Sequence, residues 1–237
     1  MKSWITKKGT VIYRLLLGRS NCFLVKRDSK FLLIDTSWKH SRKKLYARLI
    51  HLGCNEENLV ALILTHTHFD HTQNAANIKR RYAVPIIVHQ SEAEFLQNGD
   101  NVLPAGSNRV TRFLIKRFGK LASSFCKYEA ITGDILVDEQ LELRNLGFDE
   151  AKVLHTPGHS TGSISVIVDN EIAIIGDTMF GVYRDSVFPP FADDPKQLVE
   201  SWGKLLETDC SIFLPAHGTE RTRTLLAREY DEYRNNS

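Results

Sequence analysis

Residues 66–71, with the sequence HTHFDH, place three imidazole side chains and one carboxylate within a single short segment. In an extended chain, residues two positions apart point to the same side, so His66 and His68 can bind one metal ion. Asp70 and His71 follow where the chain turns into the next predicted helix, and there they can point at a second ion. Burying these groups together is costly unless a cation lies between them. The hexad at 66–71 therefore predicts a metal site.

Three later polar side chains each follow a predicted strand, at a turn that contains a glycine. They are His159 in a Pro-Gly-His turn, Asp177 in a Gly-Asp turn and His217 in a His-Gly turn. Glycine lets the backbone bend and approach its neighbours closely. Each turn is a weak signal alone, but their common position at strand ends makes the three signals reinforce one another.

The other four histidines lack this context. His40, His51 and His89 are interpreted as ordinary polar residues rather than ligands. His155 lies in the same turn region as His159, and its predicted role is structural or to orient a ligand.

The elements that must position these side chains can be read from the apolar pattern. Predicted strands cover 11–17, 22–25, 31–34, 59–64, 85–88, 135–137, 141–143, 151–154, 163–168, 172–175 and 211–214. Predicted helices cover 41–52, 72–82, 91–97, about 195–206 and the chain from about 222. Ser91 is the predicted N-cap of the helix 91–97, and Glu94 is its predicted capping-box partner. Strand groups interleaved with helices in two halves predict an α/β fold with two facing sheets and helices outside.

The composition fits one globular domain over residues 1–237, with 42% hydrophobic and 25% charged residues and a net charge of +3. No apolar segment approaches the roughly 20 residues of a membrane span, and none resembles a signal peptide. A cytoplasmic protein is the expectation. The four cysteines form no C-x-x-C pair, so reduced, mostly buried thiols are predicted.

Positive charge is concentrated in one segment, because no acidic residue lies between Asn101 and Tyr128. Apolar residues within 106–125 follow helical spacing, which predicts a basic helical insert at about 100–128. Two interpretations stay open. The helix packs on the core with a solvated basic face, or it is a lid that brings positive charge to an anionic or acyl-chain substrate.

The order H-x-H-x-D-H, Pro-Gly-His, Gly-Asp and a late His resembles the pattern of the metallo-β-lactamase superfamily, over a span from Asp35 to His217. The resemblance implies a four-layer αββα sandwich, the metallo-β-lactamase fold. It also implies that Asp35 orients a ligand. The implied ligands are His66, His68 and His159 for one metal, Asp70, His71 and His217 for the other, and Asp177 as a bridge between both.

The ligand types suit zinc, with iron or manganese as alternatives, so two Zn²⁺ ions per chain are predicted. The resemblance implies a metal-bridging hydroxide that attacks a small thioester, lactone or ester, with Asp70 as the catalytic residue that orients the hydroxide or accepts its proton. The expected partner is a small anionic or acyl substrate, with no nucleic acid and no membrane span. The oligomeric state stays open.

The substrate is less well defined. The turn from Gly176 to Phe180 resembles that of glyoxalase II-type thioesterases. Those enzymes also have a C-terminal helical domain, whereas only residues 218–237 follow the last predicted ligand here. Lactonases that cleave acyl-homoserine lactones are similar in size but have a tyrosine where this chain has Phe180. Two alternative functions stay open: a mononuclear iron oxidoreductase that resembles persulfide dioxygenases, and a phosphodiesterase.

Overall fold

Two β-sheets form the centre of the computed structural model, which describes residues 1–18, 20–100, 105–107, 111, 113, 116–117 and 126–235. The first sheet has the order β1 (Ser3–Ile5), β2 (Val11–Leu16), β3 (Cys22–Arg27), β4 (Lys30–Ile34), β5 (Leu59–Ile63), β6 (Ile86–His89) and β7 (Ile135–Val137). The second contains β8 (Gln140–Glu142), β9 (Ala151–His155), β10 (Ile164–Val168), β11 (Ile172–Gly176), β12 (Ile212–Pro215) and β13 (Arg221–Thr222), with β8 and β13 at its edges.

Residues of the two sheets alternate between two environments, as the period of a strand requires. In β4, Leu32 and Ile34 are fully buried in the core between the sheets, together with Val166 and Ile174 of the second sheet. Leu33, between them in sequence, points to the other face. The space between the sheets is therefore one continuous apolar layer.

Helices cover both outer faces. The first sheet is covered by α1 (Arg42–His51), α3 (Ala75–Tyr82) and α4 (Ala93–Asn98), and α2 (Phe69–Thr72) precedes α3. The second sheet is covered by α5 (Pro195–Leu206), with Trp202 fully buried, and by α6 (Arg223–Asn235). The predicted α/β fold with four αββα layers is confirmed.

The predicted helix 72–82 is wrong in one respect, because α2 and α3 are separate helices. Asn74 lies between them, and its buried side-chain amide donates hydrogen bonds to the carbonyls of Thr36 at 2.8 Å and Trp38 at 2.9 Å. These bonds connect the segment after the 66–71 hexad to the loop that follows β4.

The predicted N-cap at Ser91 is also wrong. The helix α4 begins at Ala93, and the backbone N–H of Ser91 donates instead to Nδ1 of His89 at 3.2 Å. The side chain of Glu92 points away from the helix terminus and into the protein interior. The cap is therefore His89, at the start of the 3-10 turn Gln90–Glu92 that leads into α4.

All four cysteines are buried and free, as predicted. Among the described residues, no helix is long and apolar enough to cross a membrane. The predicted basic helix lies almost wholly outside the described residues, so the single domain with an insert at about 100–128 stays a prediction.

Candidate metal centre

The predicted ligands all lie at one edge of the two sheets. The strands β4 and β5 are parallel, and so are β11 and β12, so the loops after their carboxyl ends emerge at the same edge of each sheet. The hexad follows β5, Asp177 follows β11 and His217 follows β12. His159 lies in the turn after β9, which runs in the same direction as β11 because both are antiparallel to β10.

One group of candidate ligands consists of three buried imidazoles. Ligand atoms of His66, His68 and His159 all lie within 4.8 Å of one another. Nδ1 of His68 is 3.0 Å from Nε2 of His159. Nε2 of His66 is buried without a hydrogen-bond partner among the described residues. Ring nitrogens that converge from three imidazoles form a set of nitrogen donors for a divalent ion.

The second group lies beside the first and is more accessible. Ligand atoms of Asp70, His71 and His217 lie within 4.8 Å of one another, and Nε2 of His217 is 3.6 Å from Oδ2 of Asp70. The side chains of His217 and Asp70 are 16% and 14% exposed, whereas His71 is fully buried. A substrate would therefore approach from the side of Asp70 and His217.

Asp177 lies between the two groups and forms a third group with His66 and His71, whose ligand atoms also lie within 4.8 Å of one another. Its Oδ2 is 3.5 Å from Nε2 of His159 and 3.2 Å from Nε2 of His217, and its Oδ1 is 3.6 Å from Nε2 of His71. Oδ1 of Asp177 and Nε2 of His71 are both buried without a hydrogen-bond partner among the described residues. Unpaired buried polar atoms are rare in folded proteins, so their convergence here fits a cation site.

The electrostatics of the site also fit metal binding. Burial and the neighbouring imidazoles hold the pKa of His66 and His68 well below the usual value, so both rings are neutral and can donate a lone pair. Burial raises the pKa of Asp177, but the adjacent His217, His71 and His159 outweigh this effect and hold that pKa well below its usual range. The ionised carboxylate of Asp177 and the neutral rings of His66 and His68 are suitable donors for zinc or iron.

His71 is held in place by Asp35. Its Nδ1–H donates to Oδ2 of Asp35 at 2.9 Å, so Nε2 faces the centre. Asp35 also accepts hydrogen bonds from the backbone N–H and the hydroxyl of Thr65, each at 2.8 Å. Burial lowers the pKa of His71, but Asp35 and Asp177 outweigh burial and raise it to about 10 in the metal-free protein. This contact agrees with the orienting role that the resemblance implied for Asp35.

His159 is oriented by the Pro-rich loop 187–194. Its Nδ1–H donates to the carbonyl of Phe191 at 2.9 Å, which leaves the Nε2 lone pair facing the centre. The preceding residue, Gly158, has a φ of +126° and packs directly on the first turn of α5. A Cβ at this position would overlap the backbone of Leu198.

Gly158→Ala is expected to destabilise the protein by about 2–4 kcal/mol, because it adds backbone strain and a clash with Leu198. Urea unfolding measures the change. Gly53→Ala is the control, because Gly53 also has a positive φ, +77°, but has open space around it. The backbone strain of this substitution alone is expected to lower the free energy of unfolding by about 1–2 kcal/mol. Equal destabilisation by the two substitutions would show that the contact with Leu198 is unimportant.

The remaining histidines lie outside the three ligand groups of the described residues. His40 and His51 are exposed. His155 donates from Nε2 to the carbonyl of Thr161 at 2.9 Å and stacks on His89 with ring centroids 3.9 Å apart. The pair packs between strands β6 and β9 of the two sheets.

Two neighbours of the site were not predicted. Glu92 is fully buried and contacts the loops that carry His68 and His159, and Phe180 packs its ring 4.9 Å from that of His217. Glu92 lies within the predicted helix 91–97, SEAEFLQ, where its type and spacing do not distinguish it from the neighbouring Glu94.

With this geometry established, comparison with known proteins identifies the family. The profile described as "Metallo-beta-lactamase superfamily" matches residues 15–217. The chain belongs to the metallo-beta-lactamase superfamily. The matched region contains every candidate ligand described above.

Three curated relatives have names that describe hydrolases. A probable metallo-hydrolase of Methanocaldococcus jannaschii is 32% identical over 68% of this chain and 68% of its own length. Hydroxyacylglutathione hydrolase GloC of Haemophilus influenzae is 29% identical over 86% of this chain and 88% of its own length. Human acyl-coenzyme A thioesterase MBLAC2 is 29% identical over 69% of this chain and 59% of its own length.

Solved structures show the same fold. The B3 metallo-beta-lactamase BLEG-1 aligns with a TM-score of 0.68, 21% identity and coverage of 93% of this chain and 96% of its own. TTHA1623, solved in a di-iron-bound form, aligns with a TM-score of 0.65, 25% identity and coverage of 91% and 97%. The superfamily and the clustered His and Asp ligands together make this protein a metal-dependent hydrolase that acts on a small molecule.

Proposed function

We propose that this metallo-beta-lactamase superfamily member is a dinuclear zinc hydrolase that cleaves a small acyl thioester. The observation that carries the proposal is the position of Asp177, whose two oxygens face ligand atoms of both groups. His66, His68 and His159 would hold one ion. Asp70, His71 and His217 would hold the other, and Asp177 would contact both.

When bound, two divalent ions supply a water activated at neutral pH and polarise an acyl oxygen. The protein's own side chains hold and orient the reactants. Asp70 lies at the more accessible side of the centre, where its carboxylate would orient the attacking water and accept its proton. The buried imidazoles on the far side exclude solvent from the ions.

Relatives and local sequence support the choice of a thioester. The names of GloC and MBLAC2 describe hydrolysis of an acylglutathione and an acyl-coenzyme A. The turn from Gly176 to Phe180 resembles that of glyoxalase II-type enzymes, and the ring of Phe180 provides an apolar wall beside His217. Zinc is proposed on the basis of the donor set, and the di-iron form of TTHA1623 makes iron the alternative to test. A cytoplasmic location stays a prediction.

Metal analysis followed by a substrate panel tests this function. We expect two zinc ions per chain, hydrolysis of hydroxyacylglutathione or acyl-coenzyme A thioesters, and loss of all activity on chelation with recovery on zinc addition. Lactones and bis-p-nitrophenyl phosphate are the comparison substrates. One iron per chain with oxygen consumption on a persulfide would replace the proposal with an oxidoreductase, and activity that survives full demetallation would refute it.

A further inference from the structure

Glu92 is a fully buried carboxylate that belongs to none of the three ligand groups. Its Oε2 accepts hydrogen bonds from the backbone N–H of Thr67, at 3.1 Å, and from the hydroxyl of the same residue. Its Oε1 accepts from the hydroxyl of Ser160 at 2.6 Å and from the backbone N–H of Gly162 at 3.2 Å. Each oxygen therefore contacts a different loop.

These two loops carry the three-histidine group. Thr67 lies between His66 and His68 in the loop after β5 of the first sheet, and Ser160 directly follows His159 in the turn after β9 of the second sheet. Both contacted side chains are buried. One carboxylate thus joins two ligand loops that come from different sheets.

The surrounding residues are shaped for this contact. A Cβ on Gly162 would overlap Cγ of Glu92, so a residue without a side chain is required at that position. A buried carboxylate costs free energy unless hydrogen bonds satisfy its oxygens. Here the four donors named above lie in ligand loops, whereas the short 3-10 turn Gln90–Glu92 and α4, which directly follows it, contribute no ligand to the three groups of the described residues.

We propose that Glu92 is a positioning residue that sets the spacing between the His66–His68 loop and the His159 turn, and thereby the metal affinity of the three-histidine site. The inference rests on the proposed dinuclear site. Metal ligands must be held to within about 0.5 Å for productive geometry. The 3.0 Å separation of His68 Nδ1 and His159 Nε2 depends on two loops, and Glu92 connects them directly.

The chemistry of glutamine makes Glu92→Gln a specific test. Its amide has one oxygen and one NH₂ group, so one of the two loops faces a donor where it needs an acceptor. The shape of the side chain is otherwise kept. Glu94 lies two residues further along, in α4, and is exposed, so Glu94→Gln is a matched control with the same charge change.

The readout is the zinc affinity of the purified, demetallated protein in competition with a chromophoric chelator. The His217→Gln background isolates the three-histidine site, and the His68→Gln background isolates the other site. Glu92→Gln is expected to weaken zinc binding by about 10-fold in the first background and to leave the second within about two-fold, since replacing groups that orient ligands costs about 10- to 100-fold. Glu94→Gln should change neither.

Unchanged zinc affinity in folded Glu92→Gln would overturn the inference, even if the melting temperature of the metal-free protein fell, because Glu92 would then be a stability residue only. If Glu92→Gln does not fold, Thr67→Val and Ser160→Ala are the alternative variants, because each removes one hydroxyl donor. Each should weaken zinc binding at the three-histidine site several-fold. Unchanged zinc affinity in both variants would overturn the inference. Failure of the proposed function gives a separate result: the wild type would bind fewer than two ions or hydrolyse no thioester, and the affinity comparison at the three-histidine site would still apply.

Discussion

Asp177→Asn is expected to lower kcat for thioester hydrolysis by about 10³-fold, because it weakens a ligand that faces both metal groups. A catalytic metal ion contributes several kcal/mol to transition-state stabilisation, and each 1.36 kcal/mol corresponds to a factor of ten in rate. Asparagine has nearly the same shape but no negative charge among His71, His159 and His217. Steady-state kinetics and the zinc content of the same sample measure the effect.

A matched control separates the loss of the ligand from the loss of a buried charge. Asp169 is also buried, but it lies in the turn between β10 and β11 and pairs with Arg27 at 3.1 Å. Asp169→Asn is expected to lower stability and to leave kcat within about two-fold, since that turn is at the opposite end of β11 from Asp177. Wild-type kcat and two bound ions in Asp177→Asn would contradict the assignment of Asp177 as the shared ligand.

Asp35→Ala is expected to reduce the free energy of unfolding of the metal-free protein by about 3–5 kcal/mol. It removes the acceptor for two groups of Thr65 and for His71, and all three donors are left buried. The zinc affinity of the group that contains His71 should fall as well, because Nδ1 no longer holds the ring in place. Urea unfolding and chelator competition measure the two effects.

The control for this substitution must share its backbone conformation, because Asp35 has a positive φ of 58°. Asp28 has a φ of 52° and is exposed in the turn between β3 and β4, so Asp28→Ala carries the same strain without the buried contacts. If both alanine variants lose the same stability, the hydrogen bonds of Asp35 contribute little and the strain accounts for the result.

Local patterns in the sequence were sufficient for the layers of the fold and for the candidate ligands. The short apolar runs of β4 and β5 predict buried strands, because a strand that is covered on both faces has apolar residues at successive positions. The hexad at 66–71 and the glycine turns around His159 and Asp177 mark strand ends that carry polar groups. Each of these signals lies within about ten residues of chain. The edge strands β1 and β13 were missed because they are short and lack such an apolar pattern.

Only the tertiary structure decided how the ligands are divided, oriented and held. The position of Asp177 between two groups depends on where two separate sheets end, and the role of Glu92 depends on Ser160, which lies 68 positions away in the sequence. A contact of this kind leaves no periodic trace, because one buried carboxylate looks like any acidic residue of a helix until the chain is folded. The hexad by itself predicts a metal site, whereas packing between the sheets determines the geometry of the candidate ligands.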